Sequence, residues 1–141
     1  MSIQTTHAAS SVPDARAFEL RVTPDRTQLF AFGAITWNRH KIHFDRVHAM
    51  AEGYPDVVVQ RGLLGNFLAR AVAAWAGPEA RIERLSWKVL RSAFPDRELS
   101  CQGEVSAVWE DRGERLFECV LRIVDPDGLR VVDGAARVRF Q

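Results

Sequence analysis

The stretch GLLGNFLARAVAAW, residues 62–75, is the most apolar helical segment of the chain. Its apolar residues recur at spacings of one, three and four, which predicts a helix with a broad apolar face. Small residues occupy most of the other positions, and only Asn66 and Arg70 are polar. A helix with so little polar surface has to be enclosed by another element. Gly77-Pro78 follows and ends it.

Beyond this helix, the apolar period changes to that of β-strands. Apolar and polar residues alternate over residues 81–89, 99–109, 117–123 and 132–140. The sequences DRG at 111–113 and DPDG at 125–128 predict tight turns between the last three strands. An antiparallel sheet with one apolar face can bury a single helix by curling around it. We therefore predict an α+β fold of the hot-dog type, in which an antiparallel sheet wraps around one long central helix.

The residues that precede the helix are less regular. Phe18–Val22 alternates as a short strand does, and Gln28–Ile35 is predicted to be a second extended segment. Asp45 can cap a short helix over Arg46–Glu52. The β-branched run Val57–Val59 predicts a further short extended segment.

Length and composition indicate one globular domain. The chain has 141 residues, of which 47% are apolar and 26% charged. Residues 1–17 mix Ser, Thr, Ala and Pro without periodicity, which predicts a mobile or loosely docked tail before a single domain at residues 18–141.

Charge and cysteine content narrow the classes of partner. A net charge of +1 gives no electrostatic case for nucleic acid or an anionic membrane surface. No apolar run approaches the roughly 20 residues of a membrane span, and the N-terminus does not resemble a secretory signal. Cys101 and Cys119 lie in strand-like segments without metal-type spacing, which is typical of buried, reduced thiols. We expect a cytoplasmic protein without nucleic-acid or membrane partners.

A polar cluster, TWNRHKIHFD at residues 36–45, lies ahead of the central helix. Asn38, His40, His43 and Asp45 fall within eight residues of one another. The sequence QRG at 60–62 then opens the helix, whose first N–H groups have no partner one turn back. Titratable side chains close to free N–H groups are what chemistry at an acyl carbonyl requires.

This cluster, with EGYP at 52–55 and VVV at 57–59, resembles the MaoC-like hot-dog dehydratases and hydratases. The resemblance covers about residues 28–140. It is greatest to the fungal-type and mesaconyl-CoA-hydratase-like branch of hydroxyacyl-thioester dehydratases. It implies a hot-dog homodimer that adds or removes water across C2–C3 of an enoyl or (R)-3-hydroxyacyl thioester. The carrier is coenzyme A or acyl carrier protein, and no cofactor is implied beyond the coenzyme A of the substrate.

The family motif places an Asp five residues before a catalytic His, with Asn-Pro between them. His43 matches the His, Asn38 stands at the Asp position, and His40 and Lys41 replace Asn-Pro. A neutral imidazole can remove the C2 proton, although a structural histidine is the alternative. The Asn38 amide can hold the water or leaving hydroxyl, and a turn residue before a helix is an equally good interpretation.

At the start of the helix, the family usually has His-Gly, where this chain has Gln60 and Arg61, followed by Gly62. The N–H groups of Arg61, Gly62 and Leu63 are predicted to face the thioester oxygen at the positive end of the helix dipole. Gly62 would allow a substrate carbonyl to approach closely. The alternative is a helix start solvated by water.

Three further polar residues are assigned supporting roles. His40 or Asp45 is expected to fix the orientation of His43 by a hydrogen bond, and Gln60 to support the helix start. The spacing of His40 and His43 alone is weak evidence for a metal, and no cysteine joins them, so no metal site is predicted.

Two other functions fit the same fold. A hot-dog thioesterase normally needs a carboxylate at the helix, and no Asp or Glu occurs between Val59 and Trp75. A non-catalytic acyl-CoA-binding subunit is favoured if Asn38 and Arg61 represent lost catalytic groups.

Overall fold

The apolar face of the central helix is enclosed by a curved antiparallel sheet. The computed structural model describes residues 12–141. In chain order the elements are β1 Ala17–Val22, α1 Arg26–Thr36, α2 Arg46–Ala51, α3 Arg61–Ala76, β2 Ala80–Val89, β3 Leu99–Asp111, β4 Glu114–Val124 and β5 Arg130–Phe140. A single 3-10 turn, Lys41–His43, joins α1 to α2. The strand order is β1-β3-β4-β5-β2, and every neighbouring pair is antiparallel.

Helix α3 is the core of the molecule, as its periodicity predicts. Its large apolar side chains are buried against the sheet, and Leu64, Leu68 and Val72 are fully inaccessible. The facing residues of β5 alternate inwards at Val132, Ala136, Val138 and Phe140. One sheet wrapped around one buried helix is the hot-dog fold, so the predicted fold class is confirmed.

The predicted hairpin between β3 and β4 is also present. Arg112 and Gly113 have φ angles of 54° and 80°, the left-handed pair that a two-residue turn between twisted strands requires. Because β3 and β4 are thereby held in register, Cys119 pairs with Val105 and Cys101 with Ile123. Both thiols are free and buried. Burial raises the pKa of Cys101 to about 12 and that of Cys119 to about 11.

The segment before α3 departs from the sequence prediction. Gln28–Ile35 was predicted to be extended but lies inside helix α1. Asp25 is the N-cap of that helix, and its carboxylate accepts a hydrogen bond from the N–H of Gln28 at 2.7 Å. Helix α2 begins after Asp45 as predicted. The run Val57–Val59 is buried and contributes no strand to the sheet.

The end of the predicted N-terminal tail is docked on the domain. Trp75 of α3 donates its indole N–H to the carbonyl oxygen of Ala15 at 2.8 Å. The N–H of Val105 in β3 donates to the carbonyl oxygen of Arg16. The rest of the tail prediction, for residues 1–11, lies outside the described residues. Within residues 12–141, no helix is long and apolar enough to cross a membrane.

Candidate active site

His43 is held by the backbone of the valine run. Its Nδ1 lies 2.6 Å from the carbonyl oxygen of Val58. A carbonyl can only accept, so Nδ1 carries the hydrogen and donates it. The lone pair of the neutral ring is therefore on Nε2. This is the tautomer that a general base needs, and the protein sets it without using a second side chain.

The surroundings of His43 keep it neutral. Partial burial, the largest influence, lowers the pKa of His43 below its usual 6.5. The hydrogen bond to Val58 acts in the opposite direction, and the charge of His40 adds a smaller decrease. The net direction is downward because burial disfavours the imidazolium. At neutral pH the ring is therefore available to accept a proton.

The valine run also fixes the backbone around His43. The N–H of Val58 donates to the carbonyl oxygen of Ile42 at 2.8 Å, and the N–H of Val59 donates to the carbonyl oxygen of Ala93. Val58 thus makes two hydrogen bonds to the 3-10 turn. Its N–H donates to the carbonyl oxygen of Ile42, and its carbonyl oxygen accepts from the ring of His43. This role of Val58 was not predicted from the sequence, because a backbone carbonyl leaves no trace in the type of side chain.

The two residues expected to orient His43, Asp45 and His40, hydrogen-bond to backbone N–H groups instead. The carboxylate of Asp45 caps α2 by accepting a hydrogen bond from the N–H of His48 at 3.0 Å. His40 caps the 3-10 turn with Nδ1, at 3.4 Å from the N–H of Ile42. Its ring centroid lies 5.9 Å from that of His43, so His40 acts on His43 through the electrostatic effect of a nearby charge. The hydrogen bond that orients His43 is the one that its ring donates to the carbonyl oxygen of Val58.

Asn38 lies just past the end of α1. Trp37 adopts a left-handed conformation with φ of 56°, and the N–H of Asn38 then donates to the carbonyl oxygen of Gly33 at 2.9 Å. The Asn38 Oδ1 accepts a weak hydrogen bond from the N–H of His40 at 3.3 Å. The side-chain oxygen of Asn38 thus stabilises a turn, which is the role that the turn-residue interpretation of the sequence predicted. The turn leaves the donor nitrogen Nδ2 for another partner.

His43 and Asn38 line two adjacent cavities. The cavity at Asn38 has a volume of about 250 Å³, and the cavity at His43 about 290 Å³. Phe30 and Phe44 line both of them and pack edge to face, with ring centroids 6.5 Å apart. Both aromatic side chains are about half exposed or more. The two motif residues therefore line neighbouring cavities that share Phe30 and Phe44.

The start of α3 adjoins this site. Arg61 follows Val58 by three residues, which limits their separation to about 10 Å. The first backbone hydrogen bond of the helix runs from the N–H of Leu64 to the carbonyl oxygen of Gln60, at 3.1 Å, and no side chain caps the end. The N–H groups of Arg61, Gly62 and Leu63 precede that bond. A Cβ at Gly62 would lie 3.1 Å from the Phe32 ring, so the absence of a side chain there leaves room for that ring. Close approach of a substrate carbonyl to Gly62 stays a prediction.

The side chain of Arg61 is anchored away from the two cavities. Its guanidinium donates to the carbonyl oxygen of Trp87 at 3.1 Å and lies over the indole ring, and the indole N–H donates back to the carbonyl oxygen of Arg61. Arg61 can therefore contribute its backbone N–H, while its side chain fixes the helix start to the edge strand β2.

Gln60 is the one buried polar residue among those the structure describes. Its amide nitrogen donates to the carbonyl oxygen of Leu29 at 2.7 Å, which connects α3 to α1. Its Oε1 has no hydrogen-bond partner in the described part of the chain. Gln60 also lines the cavity of Asn38, so the helix start and the motif asparagine share one cavity.

The family model for hydroxyacyl-thioester dehydratase type 2 matches residues 2–95, which include the whole site described above. The chain belongs to this family. The assignment of His43 to the motif histidine, and of Gln60 and Arg61 to the positions of the usual His-Gly pair, stays a prediction. Between residues 12 and 141, no cluster of three or more His, Cys, Asp or Glu side chains is arranged to hold a metal ion.

Two characterised relatives are similar in sequence. The chain is 48% identical over 48 residues to the mesaconyl-C(4)-CoA hydratase of Chloroflexus aurantiacus, a match that covers 33% of this chain but only 17% of that enzyme. It is 29% identical over 90 residues to the 3-oxo-4,17-pregnadiene-20-carboxyl-CoA hydratase beta subunit of Mycobacterium tuberculosis, which covers 64% and 70% of the two chains.

Solved structures show the same fold. A chain of the ChsH1-ChsH2 complex from Mycobacterium tuberculosis aligns with a TM-score of 0.80 and 23% identity over 93% of this chain and 99% of that one. The (R)-hydratase from A. caviae involved in PHA biosynthesis aligns with a TM-score of 0.79 and 22% identity, over 92% and 98%. At these identities the likeness establishes the hot-dog fold.

Proposed function

We propose that the protein is an acyl-thioester hydratase or dehydratase. It adds or removes water across C2–C3 of an enoyl or (R)-3-hydroxyacyl thioester, with coenzyme A as the carrier. The observation that carries this proposal is the hydrogen bond from His43 to Val58, which leaves a neutral Nε2 lone pair near the uncapped start of α3. Family membership and the names of the two relatives, both hydratases of coenzyme A esters, support the same reaction class.

In the dehydration direction, Nε2 of His43 removes the proton from C2. The electron pair moves towards the thioester oxygen, where the N–H groups of Arg61, Gly62 and Leu63 and the positive end of the helix dipole stabilise the negative charge. The electrons then return to form the C2–C3 double bond as the C3–O bond breaks. The His43 imidazolium gives its proton to the departing hydroxide, so that water and the enoyl ester are the products.

Asn38 holds the oxygen that is lost or added. Its Nδ2 can donate to the C3 hydroxyl, while Oδ1 remains in the turn with His40. An amide cannot exchange a proton usefully, so His43 serves as the base and the acid in turn. This single-base scheme differs from the two-group mechanism that an aspartate at position 38 would allow.

We also propose that the active unit is a homodimer. The sheet ends in two edge strands, β1 and β2, and β2 presents ten residues along one edge. Exposed edges of that length are usually paired or covered. Edge pairing between two copies would give a surface onto which the nucleotide end of a long coenzyme A ester extends. Light scattering at micromolar concentration measures the oligomeric state. A fully active monomer would contradict a substrate-binding surface shared between two copies.

Two other functions predict different products. A thioesterase would release free coenzyme A, but neither cavity has an Asp or Glu in its lining. A non-catalytic binding subunit would bind acyl-CoA without turnover. The replaced motif residues at positions 38 and 61 are the observation in its favour.

The test is an assay of purified protein against a panel of enoyl-CoA esters. Loss of the conjugated-thioester absorbance is expected for at least one ester, and mass spectrometry should show a product heavier by one water. A thiol reagent added to the same reactions detects free coenzyme A. Thiol release without hydration would support the thioesterase, and saturable binding without either product would support the binding subunit.

A further inference from the structure

The cavity beside Asn38 is almost entirely apolar. Four residues on one face of α1 form one wall, and two aromatic residues form the other: Leu29, Phe30, Gly33, Ala34, Trp37 and Phe44. An engineered protein cavity of about 150 Å³ accommodates benzene, so the 250 Å³ measured here exceeds the space that one aromatic ring needs. The polar lining comes from the side of Asn38 and Gln60, with Arg39 lying over Trp37.

The proposed reaction gives this cavity a place along the substrate. The thioester carbonyl, C1, lies at the start of α3, the proton that His43 moves belongs to C2, and the oxygen that Asn38 holds belongs to C3. The carbon chain from C4 onward therefore continues past Asn38. Asn38 lines the apolar cavity together with Phe44 and Ala34, so this cavity adjoins the position of C3.

We propose that this cavity binds the acyl chain beyond C3, and that Ala34 and Trp37 set the size of chain that fits. The preferred substrates are thioesters whose chain beyond C3 is apolar and at least as large as a phenyl ring, such as medium-length alkyl or aryl chains. Esters with a short chain are poorer substrates. This inference rests on the proposed function for the order of C1, C2 and C3.

Exposure of the cavity walls supports an open subsite. Trp37 is 72% exposed and Phe30 is 63% exposed, although both are large apolar side chains. An apolar chain in the cavity would cover part of both surfaces, which favours binding. The charged Arg39 is held over the indole ring of Trp37, with 5.4 Å between the guanidinium carbon and the ring centroid.

Ala34 allows a sharp test, because a phenylalanine there would fill the cavity. Ala31 provides the matched control, since it is an exposed alanine on the same helix and does not line the cavity. The measured quantity is the ratio of kcat/KM for dec-2-enoyl-CoA to kcat/KM for crotonyl-CoA. One methylene in an apolar pocket is worth about tenfold or more, so Ala34→Phe should lower the ratio by at least about tenfold. Ala31→Phe should leave the ratio and the crotonyl-CoA activity unchanged.

A second measurement separates the subsite from the reaction. Calorimetry with the saturated esters butanoyl-CoA and decanoyl-CoA reports chain binding without any turnover. The wild type should bind decanoyl-CoA more tightly, and Ala34→Phe should remove that preference. If no enoyl ester is hydrated but this pattern holds, the proposed function fails and the subsite stands. Equal affinities in the wild type, or a preference for decanoyl-CoA that Ala34→Phe leaves intact, would overturn the subsite.

Discussion

The Nδ1 atom of His43 lies 2.6 Å from the carbonyl oxygen of Val58. This hydrogen bond fixes the tautomer of a histidine whose pKa is lowered by burial. The N–H of the same valine also donates to the carbonyl oxygen of Ile42 at 2.8 Å. The segment that holds the imidazole is therefore itself fixed by a backbone hydrogen bond. The tautomer and the orientation of His43 follow from this arrangement, and both have consequences that can be measured.

The first prediction is the pH dependence of the reaction. The pKa of His43 is lowered, mainly by burial, so the active neutral form predominates above a pKa that lies below 6.5. A profile of kcat/KM should rise with pH through a midpoint below 6.5 and then level off. His40→Ala removes a neighbouring charge that lowers this pKa and should move the midpoint upward. His48→Ala should leave it in place, and a midpoint above 7 in the wild type would contradict the burial argument.

The same shift has a consequence for stability. A histidine whose folded pKa is depressed binds fewer protons in the folded state than in the unfolded state below pH 6.5. The free energy of unfolding should therefore fall as the pH decreases from 6.5 through the folded pKa. This component should disappear in His43→Phe, which has no titrating ring. Urea unfolding of both proteins at several pH values measures it, and parallel pH curves would count against the shift.

Asn38 provides a prediction about the missing aspartate. Asn38→Asp keeps the oxygen that accepts from the N–H of His40 and adds a group that can exchange a proton. We expect the variant to fold normally and to hydrate at least as fast as the wild type. Asn38→Ala should lose activity, but less than removal of His43. A folded, inactive Asn38→Asp protein would mean that the amide nitrogen donor is required.

The packing of α3 is tested by truncation. Phe67 is 1% exposed and Leu68 is fully buried, so Phe67→Ala or Leu68→Ala should lower the free energy of unfolding by about 2–5 kcal/mol. Asn66 is exposed on the same helix and is the control, with an expected change within about 0.5 kcal/mol for Asn66→Ala. Denaturant unfolding gives all three values. Near-neutral changes for the two apolar residues would place them on a surface.

Gly65 provides a test of the anchor between α3 and β2. A methyl group at Gly65 would overlap the indole ring of Trp87, which is itself held by its N–H bond to Arg61. Gly65→Ala should therefore destabilise the protein by about 1–3 kcal/mol, although alanine is the better helix former. In a Trp87→Ala background the same substitution should become neutral or stabilising. Destabilisation of similar size in both backgrounds would show that the indole is not the cause.

The sequence predicted the elements whose apolar period is long. Helix α3 and strands β3, β4 and β5 have ten or more residues each, and in α3, β4 and β5 burial follows the predicted faces. Strand β3 follows its predicted face up to Val105, where a register shift occurs, and residues 106–110 are exposed. The run Gln28–Ile35 is short, and its apolar positions fit a strand or a helix equally well. The N-cap at Asp25 and the burial of Leu29 resolve the choice in favour of the helix.

The site was predictable only as far as its side chains carry the chemistry. The motif predicts catalytic roles for His43 and Asn38, but the residue that orients His43 acts through its backbone. The two neighbouring cavities share Phe30 and Phe44, and their shape depends on how α1 faces the 3-10 turn, where residues 28–35 had been predicted as extended. A wrong secondary structure there concealed the cavity that we propose as the acyl subsite.

The most direct test of the account is hydration of an enoyl-CoA ester by the wild type and by His43→Ala, at equal concentration and pH. The variant should keep the wild-type circular dichroism and melting temperature and lose at least about a hundredfold in kcat, the usual contribution of a general acid–base group. His48→Ala is the matched control, since that ring bonds to Glu52, the C-cap residue of α2, and should be dispensable for turnover. A folded His43→Ala protein with wild-type turnover would contradict the account.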